Sequence, residues 1–287
     1  MKNLTALLSA GLCALTFASC EYLDNGTDAA EGKGDTTPEE KVDSVRFSFE
    51  VEAGHQVRSL EILLYEDTGL RRLCGHQRWS GSRDSLVIIA PEGGKMVIAI
   101  ANYPYRLNTE ALKAYESAEL LQCGFDLESI DAPVMSGCAS ALSGELCTIR
   151  LKPLRAEIVL ARVRHELEGY TRMEDPIVYL SGVPDSVEIL RESGFSPNRT
   201  FSDTTGMRGF IWDALPNDIG MYPQFPGTRL YCYPSDEGVR NIEFTLECHI
   251  RGTRERFPTQ IPPVGRDSKL TLELDVNSDL TYKYTIY

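Results

Sequence analysis

The sequence is poor in the residues that carry out catalysis. Its four histidines, His55, His76, His165 and His249, show no His-x-x-x-His or His-Glu-x-x-His spacing, so no helix presents a metal pair. Eight cysteines include no Cys-x-x-Cys, which excludes a zinc ribbon and a thioredoxin-like site. A Gly-x-Ser-x-Gly elbow and a Gly-rich phosphate loop are both missing. Basic residues are also scarce: 29 Lys and Arg stand against 42 Asp and Glu, a net charge of −13 and a pI near 4.9. A field of that sign repels phosphate backbones, so nucleic acid is excluded as a partner. Past the first twenty residues no apolar run reaches the ~20 residues that a spanning helix needs.

What is present is enough apolar material for a core. At 42% hydrophobic residues, disorder is excluded for most of the 287-residue chain. Single cores stop growing at roughly 250–300 residues and domains commonly run about 100–150, so two domains are expected.

The first residues are the most informative. Lys2 gives a positive start, Leu4 to Phe17 an apolar stretch, and Ala18-Ser19 two small residues directly before Cys20. Residues 1–19 therefore read as an export signal. A cysteine just after a small-residue cleavage site resembles a bacterial lipobox, which makes Cys20 the expected lipidation site. An ordinary signal peptide cleaved near Ser19 would leave the same cysteine. Glu21 to Lys41 is rich in Gly, Thr, Asp and Glu, so residues 20–43 read as a lipidated, solvated tether. Cys74, Cys123, Cys138, Cys147, Cys232 and Cys248 remain. In an exported protein they can pair in 15 ways or stay as buried thiols, and the sequence leaves both open.

Beyond the tether the apolar period is two. Val45, Phe47, Phe49 and Val51 alternate with polar residues, as do Leu60, Ile62 and Leu64, which predicts strands with one buried face. Leu86 to Ala90 and Met96 to Ala101, split by Pro91-Glu92-Gly93-Gly94, predict two well-buried strands around a turn. Asn108 to Leu121 is the clearest helical segment, with Asn108 as its cap. Strands resume at Cys147 to Leu151, break near Pro153 and continue over Ala156 to Val163. Further strands are expected at Ile177–Leu180, Ser186–Leu190, Thr228–Tyr233, Ile242–Ile250, Leu270–Leu274 and Tyr282–Tyr287. Gly194 to Gly227, dense in Pro, Gly, Asp and Asn, reads as an irregular excursion. The whole predicts an all-β chain of two consecutive β-sandwiches, residues 44–152 and 153–287, with a short helix in the first.

Candidate chemistry within this frame is thin. Cys248 and His249 are strand neighbours and point to opposite faces, so they form no nucleophile pair. Asp275, Asn277 and Asp279 match the first half of a calcium loop. Leu280 then stands where that loop needs Gly and Ile286 where it needs Glu, which leaves a chain turn. No pair among the acidic residues is marked for glycoside hydrolysis. No catalytic residue, metal or cofactor is expected.

A set of segments does point to a family. Leu60-Glu61-Ile62-Leu63-Leu64-Tyr65-Glu66-Asp67-Thr68-Gly69 is followed by Lys95-Met96-Val97-Ile98-Ala99-Ile100-Ala101-Asn102-Tyr103-Pro104. Then come Ala132-Pro133-Val134-Met135-Ser136-Gly137, Leu151-Lys152-Pro153-Leu154-Arg155-Ala156-Glu157-Ile158 and Leu230-Tyr231-Cys232-Tyr233-Pro234. In that order, behind a lipoprotein start, they resemble the fimbrillin superfamily of Bacteroidales type V pili, in particular its fimbrial anchor group. The resemblance implies two tandem transthyretin-like β-sandwich domains and a non-enzymatic structural role. The protein would be a lipid-anchored anchor or accessory subunit at the outer membrane and cell surface, joined to other pilus subunits by β-strand addition. It further implies Arg58 as a candidate processing site after the first strand, and Tyr282, Tyr284 and Ile286 as the apolar face of a candidate donor strand. The alternative reading is a surface lipoprotein that binds glycans or other macromolecules through loop aromatics, with Trp79, Trp212, Tyr222 and Tyr231 as the stacking faces.

Overall fold

The structure is a computed structural model that describes residues 42–51, 55–81, 85–142, 144–191, 210–235 and 242–287. The export signal, Cys20 and the tether up to residue 41 lie outside the described residues. The first half contains β1 (Val42–Val51), β2 (Ser59–Glu66), β3 (Leu73–Ser80), β4 (Ser85–Pro91), β5 (Lys95–Ala101), α1 (Tyr115–Glu119), β6 (Gln122–Gly124), β7 (Met135–Ala141) and β8 (Leu146–Pro153). The second contains β9 (Ala156–His165), β10 (Glu174–Ser181), β11 (Ser186–Glu188), β12 (Phe210–Ala214) and β13 (Thr228–Cys232). It is completed by β14 (Glu243–Ile250), β15 (Thr253–Gln260), β16 (Lys269–Val276) and β17 (Tyr282–Ile286). The chain is all-β, as its period-two patterning predicts.

One pairing scheme runs through the chain twice. In the first half β1 lies parallel to β8 and antiparallel to β4, while β2 pairs with β3 and β5, and β5 with β7. In the second half β9 lies parallel to β16 and antiparallel to β13, while β10 pairs with β12 and β14, and β14 with β15. The first set is joined through β7 and β8 into one seven-stranded sheet of order β3-β2-β5-β7-β8-β1-β4. A Cβ at Gly137 would overlap the Arg150 carbonyl, so only glycine lets β7 come this close to β8. The second set forms two sheets, β12-β10-β14-β15 and β13-β9-β16-β17. Among the described residues β17 has no counterpart in the first half.

Three apolar clusters hold these layers. Val45, Phe47, Leu60, Ile62, Val97 and Ile149 share the first, between the two parts of the curled seven-stranded sheet. Ile158, Leu160, Val178, Phe244, Leu246 and Leu274 share another, between the two sheets of the second half. Each such side chain contributes roughly 1.5–3 kcal/mol when fully buried. The third cluster packs Leu63, Tyr65, Ile98 and Ile100 under Leu112, Tyr115, Ala118 and Val134, and it also takes Val187, Ile189 and Tyr233 from the second half. β11 reaches back to pair with β6, Val187 opposite Cys123, so the two halves share this layer.

Several sequence expectations change here. β2 is buried on both faces, because residues 102–134 cover its second side. β4 is an edge strand whose Val87 and Ile89 are exposed, so its unbroken apolar run does not signal burial on both faces. The helix expected over Asn108–Leu121 shrinks to Tyr115–Glu119. Asn108 closes a turn instead, its Oδ1 accepting from Glu110 N at 3.2 Å and its carbonyl from Ala111 N at 3.1 Å. The expected excursion from Gly194 to Gly227 contains strand β12, and its residues 194–209 lie outside the described residues.

Candidate functional site

β1 is an interior strand built from alternation alone. Val45 and Phe47 are fully buried, and Phe49 and Val51 pack against the same cluster, while Arg46, Ser48 and Glu50 face outward. Both of its edges are used: Phe47 stands opposite Leu86 of β4 and opposite Cys147 of β8. Ser48 Oγ adds a 2.8 Å bond to Thr148 Oγ1, and Arg46 Nη2 donates to the Gly144 carbonyl at 3.0 Å.

Arg58 follows, exposed and immediately before β2. Its backbone is not a loose loop. Arg58 N donates to Asn102 Oδ1 at 2.7 Å, and the Arg58 carbonyl accepts from Gly81 N at 2.7 Å. Asn102 Nδ2 also donates to the Gln56 carbonyl at 2.7 Å and the Pro133 carbonyl at 2.9 Å. Asn102 sits at φ +60, a left-handed conformation that asparagine tolerates better than most residues. One side chain thus ties the segment before β2 to the end of β5 and to the start of β7. Sequence reasoning quotes Asn102 only as part of a segment; an Asn between an apolar strand and Tyr-Pro is the signal that marks it.

β17 is the last strand of its sheet and pairs antiparallel with β16, Tyr284 opposite Leu274 and Ile286 opposite Leu272. Tyr284 and Ile286 pack against the second core, whereas Tyr282, on the same side of the strand, stays 38% exposed. Tyr282 Oη donates to the Pro258 carbonyl and Tyr284 Oη to the Phe257 carbonyl, each at 2.8 Å, which binds β17 to β15 across the sandwich. Edge-on ring contacts at 5.4 Å (Phe257 with Tyr282) and 5.8 Å (Phe244 with Tyr284) complete the seat. Burial pushes the Tyr284 hydroxyl well above its ordinary pKa, so it stays a donor. Asn277, Asp279 and Thr281 form the turn into the strand, with Asn277 N donating to the Thr281 carbonyl at 2.8 Å and Thr281 N to Asp279 Oδ1 at 3.0 Å.

The junction of the halves is polar and buried. Arg266 donates to the carbonyls of Pro153, Ile189, Ser136 and Lys152 and to Ser136 Oγ, over 2.6–3.3 Å. Arg155 donates to the carbonyls of Ser129 and Ile130 at 2.7 and 2.9 Å and lies over the Tyr231 ring at 4.6 Å. Glu128 is buried beside it, accepting from Val134 N at 3.0 Å; burial pushes its carboxyl up to about 7 despite the nearby guanidinium. A cleft of about 470 Å³ beside this junction is lined by His55, Arg155, Glu157, Arg229, Tyr231 and Lys269, with Arg229 and Lys269 both paired to Glu157.

The four aromatics proposed for ligand stacking separate. Trp79 packs half-buried on the first core and Tyr231 lies half-buried beneath Arg155. Tyr222 is exposed in a loop, whereas Trp212 is exposed on strand β12 and so belongs to a sheet face. Among the described residues no disulfide joins two of the six cysteines, and four of them, Cys123, Cys147, Cys232 and Cys248, are buried. Among the described residues no group of His, Cys, Asp and Glu is placed to hold a metal.

No protein-family model and no curated protein matches this sequence. Solved structures do. A fimbrilin from Porphyromonas gingivalis aligns at TM-score 0.62 and 12% identity, covering 82% of this chain and 90% of that one. A fimbrial assembly protein from Parabacteroides distasonis aligns at 0.54 and 12%, covering 86% and 94%. A candidate cell adhesion protein from Bacteroides eggerthii aligns at 0.62 and 13%, covering 87% and 95%. At such identities it is the fold that is shared, and this chain has the fold of the fimbrilins and cell adhesion proteins of Bacteroidales.

Proposed function

We propose that the protein is a non-enzymatic structural subunit of a cell-surface pilus, held at the outer membrane by a lipid on Cys20 and joined to other subunits by β-strand addition. The observation that carries the reading is the position of β1, an interior strand flanked by β8 and β4 and followed by Arg58. Cleavage after Arg58 would leave a groove open on both sides, lined by the ladders of β8 and β4 and by the space of Val45 and Phe47. A strand of matching alternation could fill it, with main-chain bonds giving affinity and alternate side chains giving register. Residues 44–152 and 153–287 serve in this reading as two domains of one pairing scheme.

An uncleaved chain keeps β1 and its lipid and acts as an anchor or accessory subunit. A cleaved chain acts as a polymerising one. Mass spectrometry of protein taken from the native cell surface separates them: a lipidated N-terminus at Cys20 supports the anchor, and an N-terminus at Ser59 supports the polymerising subunit. Cys20→Ala should give soluble protein, because acyl chains contribute about 0.8 kcal/mol per buried CH₂. If that variant still needs detergent for release from membranes, the lipid anchor is wrong.

A further inference from the structure

The outward face of the sheet β12-β10-β14-β15 carries a row of aromatic and charged side chains. Tyr179 of β10 stands directly opposite Trp212 of β12 on one side and Thr245 of β14 on the other. Trp212 is 59% exposed, although large aromatics are normally covered. One rung away Ile177 faces Glu247, whose neighbour across β15 is Arg256. Neighbouring strands lie roughly 4.8 Å apart, which puts Trp212 and Tyr179 side by side as an aromatic floor on this face.

The polar groups around that floor are unequal at its two ends. At one end the Glu247 side chain is only 8% exposed and takes hydrogen bonds from Arg254 Nε and from Arg256 Nε at 2.9 Å, with Tyr179 Oη donating to it at 3.4 Å. Arg254 and Arg256 are themselves 63% and 60% exposed. Two guanidiniums thus share one buried carboxylate, so this cluster of three side chains carries one unmatched positive charge in a chain of net charge −13. Each guanidinium has five N–H donors in a fixed fork, more than one shared carboxylate can take. Arg256 is already aimed, its guanidinium lying 5.8 Å from the Tyr179 ring centre. At the other end Glu243 accepts from Gln260 Nε2 at 3.3 Å and from Thr245 Oγ1 at 3.4 Å, a neutral-donor cluster suited to hydroxyl groups.

We propose that this face binds an acidic glycan, with a pyranose ring on Trp212 and Tyr179, its carboxylate on Arg254 and Arg256, and neighbouring hydroxyls on Glu243 and Gln260. An aromatic floor accepts the C–H face of a sugar, and a forked guanidinium is the strongest side-chain partner for a carboxylate. The charge gradient from the arginine end to the Gln260 end sets the direction of the chain. The site is independent of strand exchange, since neither β1 nor β17 contributes to it.

The test uses the full chain in native gels containing polygalacturonate, with its methyl-esterified form, dextran and polyglutamate as comparisons. Retardation by polygalacturonate alone is expected. Trp212→Ala should weaken it about tenfold or more with an unchanged melting temperature, as this side chain is exposed, and Arg256→Gln should weaken it likewise. Tryptophan fluorescence should respond to polygalacturonate in Trp79→Phe and not in Trp212→Phe. The proposal is overturned if polygalacturonate does not retard the wild type, if Trp212→Ala binds as well as the wild type, or if polyglutamate retards both equally. It is also overturned if Trp212→Ala loses capture of pilus subunits while no glycan binds, which would make the face a protein interface.

Discussion

Arg266 and Ser136, 130 residues apart in sequence, meet where the halves join: the Arg266 Nη2 group donates to the Ser136 carbonyl at 2.9 Å and to its hydroxyl at 3.0 Å. Ser136 Oγ in turn donates to the Ile189 carbonyl, which also accepts from Arg266 Nη1 at 3.2 Å. One guanidinium therefore ties the start of β7, the end of β8 and the segment after β11 into a single knot. Removing it strands several buried carbonyls at once. Arg266→Met should cost at least about 3 kcal/mol, since charge-assisted bonds contribute roughly 1.5–3 kcal/mol each and unmade ones carry a desolvation penalty. In calorimetry the melting temperature should fall by about 6–12 °C for a chain of this size. A fall under 2 °C would show that the knot is dispensable.

The sequence makes some of this legible and hides the rest for identifiable reasons. Alternation reveals β1, β14 and β17 because apolar residues line one face of each and polar residues the other, even where, as at Thr245 and Glu247 of β14, the polar face is covered by neighbouring side chains. It misses β3 and β15, which are sheet edges: Leu73–Ser80 and Thr253–Gln260 carry polar residues on both sides, and Pro258 is tolerated because an edge leaves one ladder unused. The Arg58 clamp and the Arg266 knot are invisible for another reason. Each depends on carbonyls brought together by the fold, and a lone Asn or Arg carries no periodic signal. Trp212 is misplaced because its surroundings, rich in Pro, Gly and Asp, mask the five residues of β12.

Asn102 should govern how readily the chain is cut after Arg58. Both backbone polar groups of Arg58 are engaged, so a protease must first open the segment locally. Asn102→Ala removes the acceptor of Arg58 N and places a residue less suited to φ +60 there. An opening free energy lowered by about 1.4 kcal/mol would raise the trypsin rate at the Arg58–Ser59 bond about tenfold. Timed digestion read by mass spectrometry checks this. Equal rates in variant and wild type would mean that the clamp does not protect the bond.

Glu128 should make stability depend on pH in one direction. Burial raises its folded pKa to about 7 from an unfolded value near 4.5, so the folded chain holds the proton more tightly. Its contribution is whole below the unfolded value and is lost as pH rises through about 7, so the wild type loses stability across that window. Glu128→Gln cannot ionise and keeps an acceptor for Val134 N. The stability difference between variant and wild type, from urea titrations between about pH 5 and 8, should grow in the variant's favour as pH rises. A difference that stays flat would place the ionisation outside this window.

The last strand offers the sharpest test of how subunits join. β17 sits at a sheet edge, pairs only with β16, and carries the same alternation of apolar and polar residues as β1. An edge strand gives up one ladder when it leaves, whereas an interior strand gives up two, so exchange costs least here. The cost is not small, because Tyr282 and Tyr284 also lose their bonds to the Pro258 and Phe257 carbonyls, about 0.5–1.5 kcal/mol each. Tyr284→Phe should therefore weaken the seat of β17 by about 1 kcal/mol while keeping its apolar face and its ladder. If this strand is donated to a partner, that variant should capture pilus subunits at least as well as the wild type, because the strand detaches more easily. Deleting residues 282–287 should abolish capture while a cooperative, lower-temperature melting transition remains. Capture that persists in a deletion variant with such a transition would refute donation from this strand and leave the slot of β1 as the route of assembly.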